Sequence, residues 1–102
     1  TILFGTGGVM VEVYNDVALR LCPIDEKDAL EMISEVKGAR LLEGFRGSPA
    51  ADVAALAIAL VRVSHMGVQL EGSLAELDIN PLMVLPTGQG VKAADAVAIF
   101  RA

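Results

Sequence analysis

Cysteine occurs once, at Cys22, and histidine once, at His65. A lone cysteine excludes a disulfide framework and a thiolate zinc site, and a lone histidine excludes a histidine-rich metal centre. Tryptophan is absent and the aromatics stop at three Phe and one Tyr, so any core is built from small aliphatics. Basic residues number eight against thirteen acidic ones. The net charge of −5 leaves no basic patch to displace counterions from nucleic acid. Long hydrophobic runs are missing too. The longest, around Ala54 to Val61, falls far short of the ~20 residues that span a bilayer, and no Arg-led signal peptide opens the chain. The expectation is a soluble, cytoplasmic domain that engages neither nucleic acid nor membrane.

What is present is an apolar chain of 102 residues, 54 % hydrophobic and 21 % charged. That is room for one domain or part of one, and too much apolar side chain for disorder. The chain opens on Thr1-Ile2-Leu3-Phe4, which reads as a strand already under way without an initiator Met. A piece of something larger is therefore expected.

Val9 to Tyr14 and Val17 to Cys22 are β-rich runs around the turn signal Asn15-Asp16, and a hairpin is the simplest arrangement. Asp25 caps a helix over about residues 25–37, with a stripe of Ala29, Leu30, Ile33 and Val36 and Gly38 at the C′ position. Leu41-Leu42 is compatible with a short strand, and Glu43 to Gly47 with a loop. Ser48 as N-cap and Pro49 at N1 open the strongest helix, whose stripe is Val53, Leu56, Ala57, Leu60, Val61, Ser64 and Val68. Glu71-Gly72-Ser73 breaks it. The tail reads as strand Leu74 to Asn80, a continuation from Pro81 to Leu85, a turn Thr87 to Gly90 and a strand Val91 to Ala96.

The tail carries the most chemistry. Glu76, Asp78 and Asn80 alternate with Ala75, Leu77 and Ile79, so the three polar groups share one strand face. An exposed strand edge gives the same alternation. Asp95 sits in the apolar run Ala93 to Val97, a costly place for an unpartnered carboxylate. If Thr87 to Gly90 forms the loop, Leu82 faces Asp95, and Asp95 lies on the face of Asn80. A loop one residue longer sends it to the other face. Two acids and an amide carbonyl without His or Cys form a hard-oxygen set, suited to magnesium shared with phosphate groups.

Phe4-Gly5-Thr6-Gly7-Gly8-Val9 is a second candidate, because successive glycines let backbone N–H groups approach an anion. It is not a P-loop, since no Gly-Lys-Ser/Thr follows, and a turn between strands accounts for it equally well. Glu12 and Arg20 are placed to pair across the hairpin. Arg46 can hold a phosphate or carboxylate, or stand solvated. His65 reads as structural and Cys22 as a small core residue.

Four blocks, Phe4 to Val13, Asp16 to Ile24, Leu41 to Gly47 and Ala75 to Leu82, together resemble the ATP-grasp domain of NDP-forming acyl-CoA synthetases. That group includes ADP-forming acetate–CoA ligases, succinyl-CoA synthetase β subunits and bacterial proteins fused to an acetyltransferase domain. The resemblance implies α+β architecture, residues 1–102 being the C-terminal lobe of an ATP-grasp fold: mostly antiparallel sheet with two main helices. The first lobe, with its adenine pocket and lysines, is expected before Thr1. It also implies ATP/ADP and Mg²⁺ as cofactors, and phosphoryl transfer to a phosphohistidine on a separate CoA-ligase portion that takes CoA and a carboxylic acid. The implied magnesium ligands are Asn80 and Asp95. Asp78 stands where succinyl-CoA synthetases carry Glu, one methylene longer. Gly7, Gly8 and Glu12 fall on the nucleotide-phosphate side. Arg20 and Arg46 match motif positions as candidate contacts to the γ-phosphate or the phosphohistidine loop. The rival is a non-catalytic ATP-grasp-like module beside a fused acetyltransferase. A lobe parted from its partner also exposes apolar surface, so self-association is expected.

Overall fold

The computed structural model describes residues 1–6, 16–44 and 47–102. These form β1 (Ile2–Gly5), β2 (Val17–Arg20), α1 (Glu26–Glu35), a 3-10 helix (Lys37–Glu43), α2 (Val53–Gln69), β3 (Leu74–Ile79), β4 (Leu82–Val84), β5 (Val91–Ala93) and β6 (Ala96–Phe100). Among the described residues every strand pairing is antiparallel: β1 with β2, β3 with β6, β4 with β5. The expected class, α+β with two main helices, is what the chain adopts. No helix among the described residues is long and apolar enough to cross a membrane.

The opening run Ile2 to Phe4 is indeed a strand, and its partner is β2, with Ile2 opposite Arg20 and Gly5 opposite Val17. The expected strand Val9 to Tyr14, and any pairing of Glu12 with Arg20, lie outside the described residues. Alternation puts Ile2 and Ala18 on the buried face and Leu3 and Leu19 on the exposed one.

Asp25 caps α1 as expected and does so reciprocally. Its Oδ1 accepts the Asp28 N–H at 2.8 Å, while Asp28 Oδ2 accepts the Asp25 N–H at 3.1 Å. The buried stripe is Ala29, Met32, Ile33 and then Val36; Leu30 is exposed and Met32 takes its place. Gly38 does not serve as C′. The helix stops at Val36 in an extended conformation, and the next turn is a 3-10 helix rather than a strand at Leu41-Leu42. Asp16 accounts for the break, because its carboxylate accepts the Lys37 and Gly38 N–H groups that would otherwise start the new helix unpaired.

The second helix begins later than Ser48-Pro49. Asp52 is its N-cap, accepting the Ala55 N–H at 3.1 Å. Ala50 and Ala51 stay outside the helix because other segments occupy their backbone: Thr87 of the hairpin turn donates to the Ala50 carbonyl at 3.1 Å, and Ala51 donates to that of Leu42 in the 3-10 helix at 2.7 Å. Leu56, Ala57, Leu60 and Ser64 form the buried stripe and meet Ile24, Ala29, Met32, Ile33 and Val36 in one core. Cys22 packs half-buried against it and His65 is exposed. Ser64 is fully buried. It donates to the Val61 carbonyl at 2.7 Å and accepts the Ile24 N–H at 3.1 Å, tying α2 to the loop before α1.

Candidate metal and nucleotide site

β3 to β6 make one long hairpin with a break at its middle. Ile79 stands opposite Ala96 and Leu82 opposite Ala93, one register on both sides of the break. Asn80 therefore stands opposite Asp95, its N–H donating to the Asp95 carbonyl at 3.0 Å. The expected register had Leu82 there. The turn is displaced by one residue on each arm: Leu85 donates to the Gly90 carbonyl at 3.0 Å and Gln89 to that of Pro86 at 2.9 Å. Gly88, with φ of 87°, takes the left-handed position of that turn. Pro86 has no N–H for the ladder and bridges to Ala51 instead. The loop keeps its length, so alternation still assigns Asn80 and Asp95 to one face.

Both residues are exposed, as are Asp78 and Glu76 two and four positions before Asn80. Val97 and Ile99 stand opposite Asp78 and Glu76 and are also exposed. Asp95 Oδ1 accepts the Ala96 N–H at 2.9 Å. Last-strand residues beyond Ala96 continue as β6 to Phe100, longer than expected. Among the described residues no group of three or more His, Cys, Asp or Glu side chains forms a metal cage. A carboxylate and an amide, both hard oxygen donors, suit Mg²⁺, which commonly takes one or two carboxylates and completes its shell with substrate phosphates.

The cradle beneath this hairpin rests on a residue whose role the sequence reading missed. Asp52 is buried, and its Oδ2 accepts the N–H groups of Gly88 at 3.0 Å and Gly90 at 2.9 Å. Those bonds, with the Ala55 N–H, hold its carboxyl below the usual carboxylate range. Its signal was present: an N-cap aspartate followed by apolar residues at helical spacing.

Arg20 lies on the inner face of β1–β2 and reaches the end of α1. Both its terminal nitrogens bind the Glu35 carboxylate, and Nη1 also donates to the Leu19 carbonyl at 2.8 Å. Bonding to Glu35 raises the Arg20 pKa and holds that of Glu35 down. Gly7, Gly8, Glu12 and Arg46 lie outside the described residues. Thr6, which leads into the glycine block, lines a mostly apolar cavity of about 190 Å³ together with Phe4, Gly38, Leu82 and Val84. The end of β1 and the start of β4, which follows Asn80-Pro81, thus share one cavity.

The fold defines a class: an α+β unit whose antiparallel hairpin carries a carboxylate and an amide opposite each other. The chain belongs to the ATP-grasp domain family, whose model matches residues 1–99. It is 41 % identical over 100 residues to the β subunit of ADP-forming acetate–CoA ligase II from Pyrococcus furiosus, covering 98 % of this chain and 42 % of that one. It is 36 % identical over 94 residues to an ADP-forming 4-hydroxybutyrate–CoA ligase from Nitrosopumilus maritimus, covering 92 % of this chain and 13 % of the other. Among solved structures it matches dinucleotide-forming acetyl-coenzyme A synthetase 1 from Ca. Korarchaeum cryptofilum, in complex with coenzyme A and Mg-AMPPCP. There the TM-score is 0.88 and the identity 45 %, covering 97 % of this chain and 45 % of that one. The chain therefore spans less than half the length of these relatives.

Proposed function

We propose that residues 1–102 are the C-terminal ATP-grasp lobe of an ADP-forming acid–CoA ligase and bind the metal–phosphate end of ATP or ADP. The observation that carries the reading is the Asn80–Asp95 pair, set opposite each other in the hairpin of a chain 45 % identical to a synthetase bound to Mg-AMPPCP. Asp95 supplies a negative charge and Asn80 a neutral carbonyl, the two protein ligands for Mg²⁺. A magnesium ion held by these two side chains would supply neutralisation of phosphate charge as a phosphoryl group moves to a histidine. Asp78 flanks the pair on the same face, too short to reach as far as Glu. The family resemblance assigns Gly7, Gly8 and Glu12 to the phosphate side, and makes Arg20 and Arg46 cations for the γ-phosphate or the histidine-bearing loop. A contact from Arg20 to phosphate replaces its bond to Glu35.

The partners in this reading are a first ATP-grasp lobe and a CoA-ligase portion, in the same or another chain, and through them CoA and a carboxylic acid. The setting is cytoplasmic. Titration calorimetry with Mg-ATP on the 102-residue chain, the two-lobed protein and its Asp95→Ala variant tests the assignment. Binding by the two-lobed protein, lost in Asp95→Ala and absent from the short chain, is expected. Binding unaffected by Asp95→Ala removes the metal assignment, and no binding by the two-lobed protein favours a non-catalytic module such as one fused to an acetyltransferase.

A further inference from the structure

The hairpin that carries Asn80 and Asp95 is anchored from its turn. Asp52, buried at the start of α2, accepts the Gly88 N–H at 3.0 Å and the Gly90 N–H at 2.9 Å on Oδ2, while Oδ1 caps α2 through Ala55. Both glycines are left-handed, with φ of 87° and 83°, a conformation glycine adopts without steric cost. The Asp52 N–H donates to the Leu85 carbonyl at 2.7 Å, and the Thr87 N–H to that of Ala50 at 3.1 Å, so the turn is tied to the chain entering α2. Behind the turn, Leu82, Val84 and Val91 lie half-buried against the core. Beyond Asn80 and Asp95 this support ends: every residue of β6 is exposed, and so are Glu76 and Asp78 of β3.

One register runs from the Leu85–Gly90 bond through Val84–Val91 and Leu82–Ala93 to Asn80–Asp95. At ~3.3 Å per residue, the metal pair stands about 16 Å along the ladder from the turn. A tilt of about 4° at the turn therefore moves the pair by about 1 Å, and a misplacement of that size can cost a site ~10²-fold.

We propose that Asp52 is a positioning residue for the metal end of the nucleotide site. Its carboxylate fixes the angle at which the hairpin leaves the core and, through the ladder, where the Asn80 and Asp95 side chains stand. This rests on the reading above, in which that pair holds Mg²⁺. Hydrogen bonds to an ionised acceptor are roughly twice as strong as neutral ones, and Asp52 makes them out of contact with solvent. The metal supplies a signature. Mg²⁺ demands near-octahedral geometry at about 2.0–2.1 Å, whereas Ca²⁺ accepts looser shells at about 2.3–2.6 Å. A hairpin released at its turn therefore loses Mg²⁺ before Ca²⁺, which lowered stability alone does not bring about.

The test uses the two-lobed protein with its CoA-ligase portion. It reads the melting temperature and, well below it, the calorimetric Kd for Mg-ATP and for Ca-ATP and the KM for CoA. Asp52→Ser keeps a short acceptor for the α2 cap and gives up the bonds to Gly88 and Gly90. In this variant Kd for Mg-ATP should rise about tenfold and Kd for Ca-ATP less than about threefold, with KM for CoA unchanged. Ser64→Ala, which weakens the core away from the hairpin, should lower the melting temperature and leave both Kd values in place. An unchanged Kd for Mg-ATP in Asp52→Ser, or an equal loss for Ca-ATP, overturns the proposal. So does a Mg-selective loss in Ser64→Ala. Should Asp52→Ser not fold, Asp52→Asn, which keeps a carbonyl for the cap and turns an NH₂ group toward the glycines, is read by the same criteria. Asp95→Ala distinguishes the two levels: Mg-ATP binding intact in that variant defeats the site reading and this inference with it, whereas binding lost there but kept in Asp52→Ser defeats the inference only.

Discussion

Asp52 shows how one side chain can serve two elements. One oxygen caps α2 through Ala55, and the other gathers the Gly88 and Gly90 N–H groups of the hairpin turn. All three bonds favour the ionised form, so the folded pKa lies below the unfolded value of about 3.9. The stabilisation is then complete above the unfolded pKa and disappears as pH falls through the folded one. Replacing Asp52 by Asn retains an acceptor for the cap but sets an NH₂ group toward the turn. Thermal melts from pH 7 down to pH 2 should show Asp52→Asn less stable at neutral pH and closing on the parent toward acid. Parallel curves would show that Asp52 does not carry that part of the pH dependence.

At the level of elements, α2 is the organiser. Its stripe fills the core, and Ser64 reaches across to the Ile24 N–H, fixing the approach to α1. The site is sealed, so removing the hydroxyl leaves a buried donor without a partner. Ser64→Ala should cost about 1–3 kcal/mol in denaturant unfolding. Leu56→Ala, which opens a cavity in the same stripe, should cost about 2–5 kcal/mol with an unchanged m-value. A Ser64→Ala variant as stable as the parent would mean that Ile24 finds another acceptor.

The Arg20–Glu35 pair joins β2 to the end of α1. Glu35→Gln should loosen this contact modestly, because both side chains are partly open to solvent. The same substitution frees Arg20, which distinguishes its two roles. Mg-ATP affinity that rises in Glu35→Gln supports a phosphate contact for Arg20, and affinity that stays level assigns Arg20 to holding the fold.

The molecule extends 48 × 29 × 23 Å, and large apolar side chains are exposed on several of its elements. Every residue of β6 is exposed, including Val97, Ile99 and Phe100, and Leu21 and Leu41 are exposed elsewhere. An exposed apolar strand that pairs along one edge only, as β6 does with β3 among the described residues, invites contact with other protein. Sedimentation of the 102-residue chain should show species above the monomer mass that grow with concentration; a monomer throughout the range would count against this. On the proposed reading the 102-residue chain by itself should turn over no substrate and bind Mg²⁺ at only ~10⁻³ M, since a site with few protein ligands depends on substrate phosphates to complete its shell.

The local features were legible from the amino-acid order because each depends on near neighbours. The opening strand at Ile2, the capping box at Asp25, the stripe through Leu56, Leu60 and Ser64, and the alternation of Glu76, Asp78 and Asn80 all rest on spacing along the chain. Parity along the hairpin hangs on the loop length, which the sequence leaves open; the four-residue loop of the structure puts Asn80 and Asp95 on one face, in a register different from the expected one. What only the tertiary structure decided was the identity of partners. Glu35 for Arg20, the 3-10 helix under Asp16, the delayed start of α2 at Asp52 and the turn at Pro86–Gln89 each depend on groups far away in sequence. Periodicity specifies which face a residue takes, but a hydrogen-bond donor satisfied from across the fold is specified by packing alone.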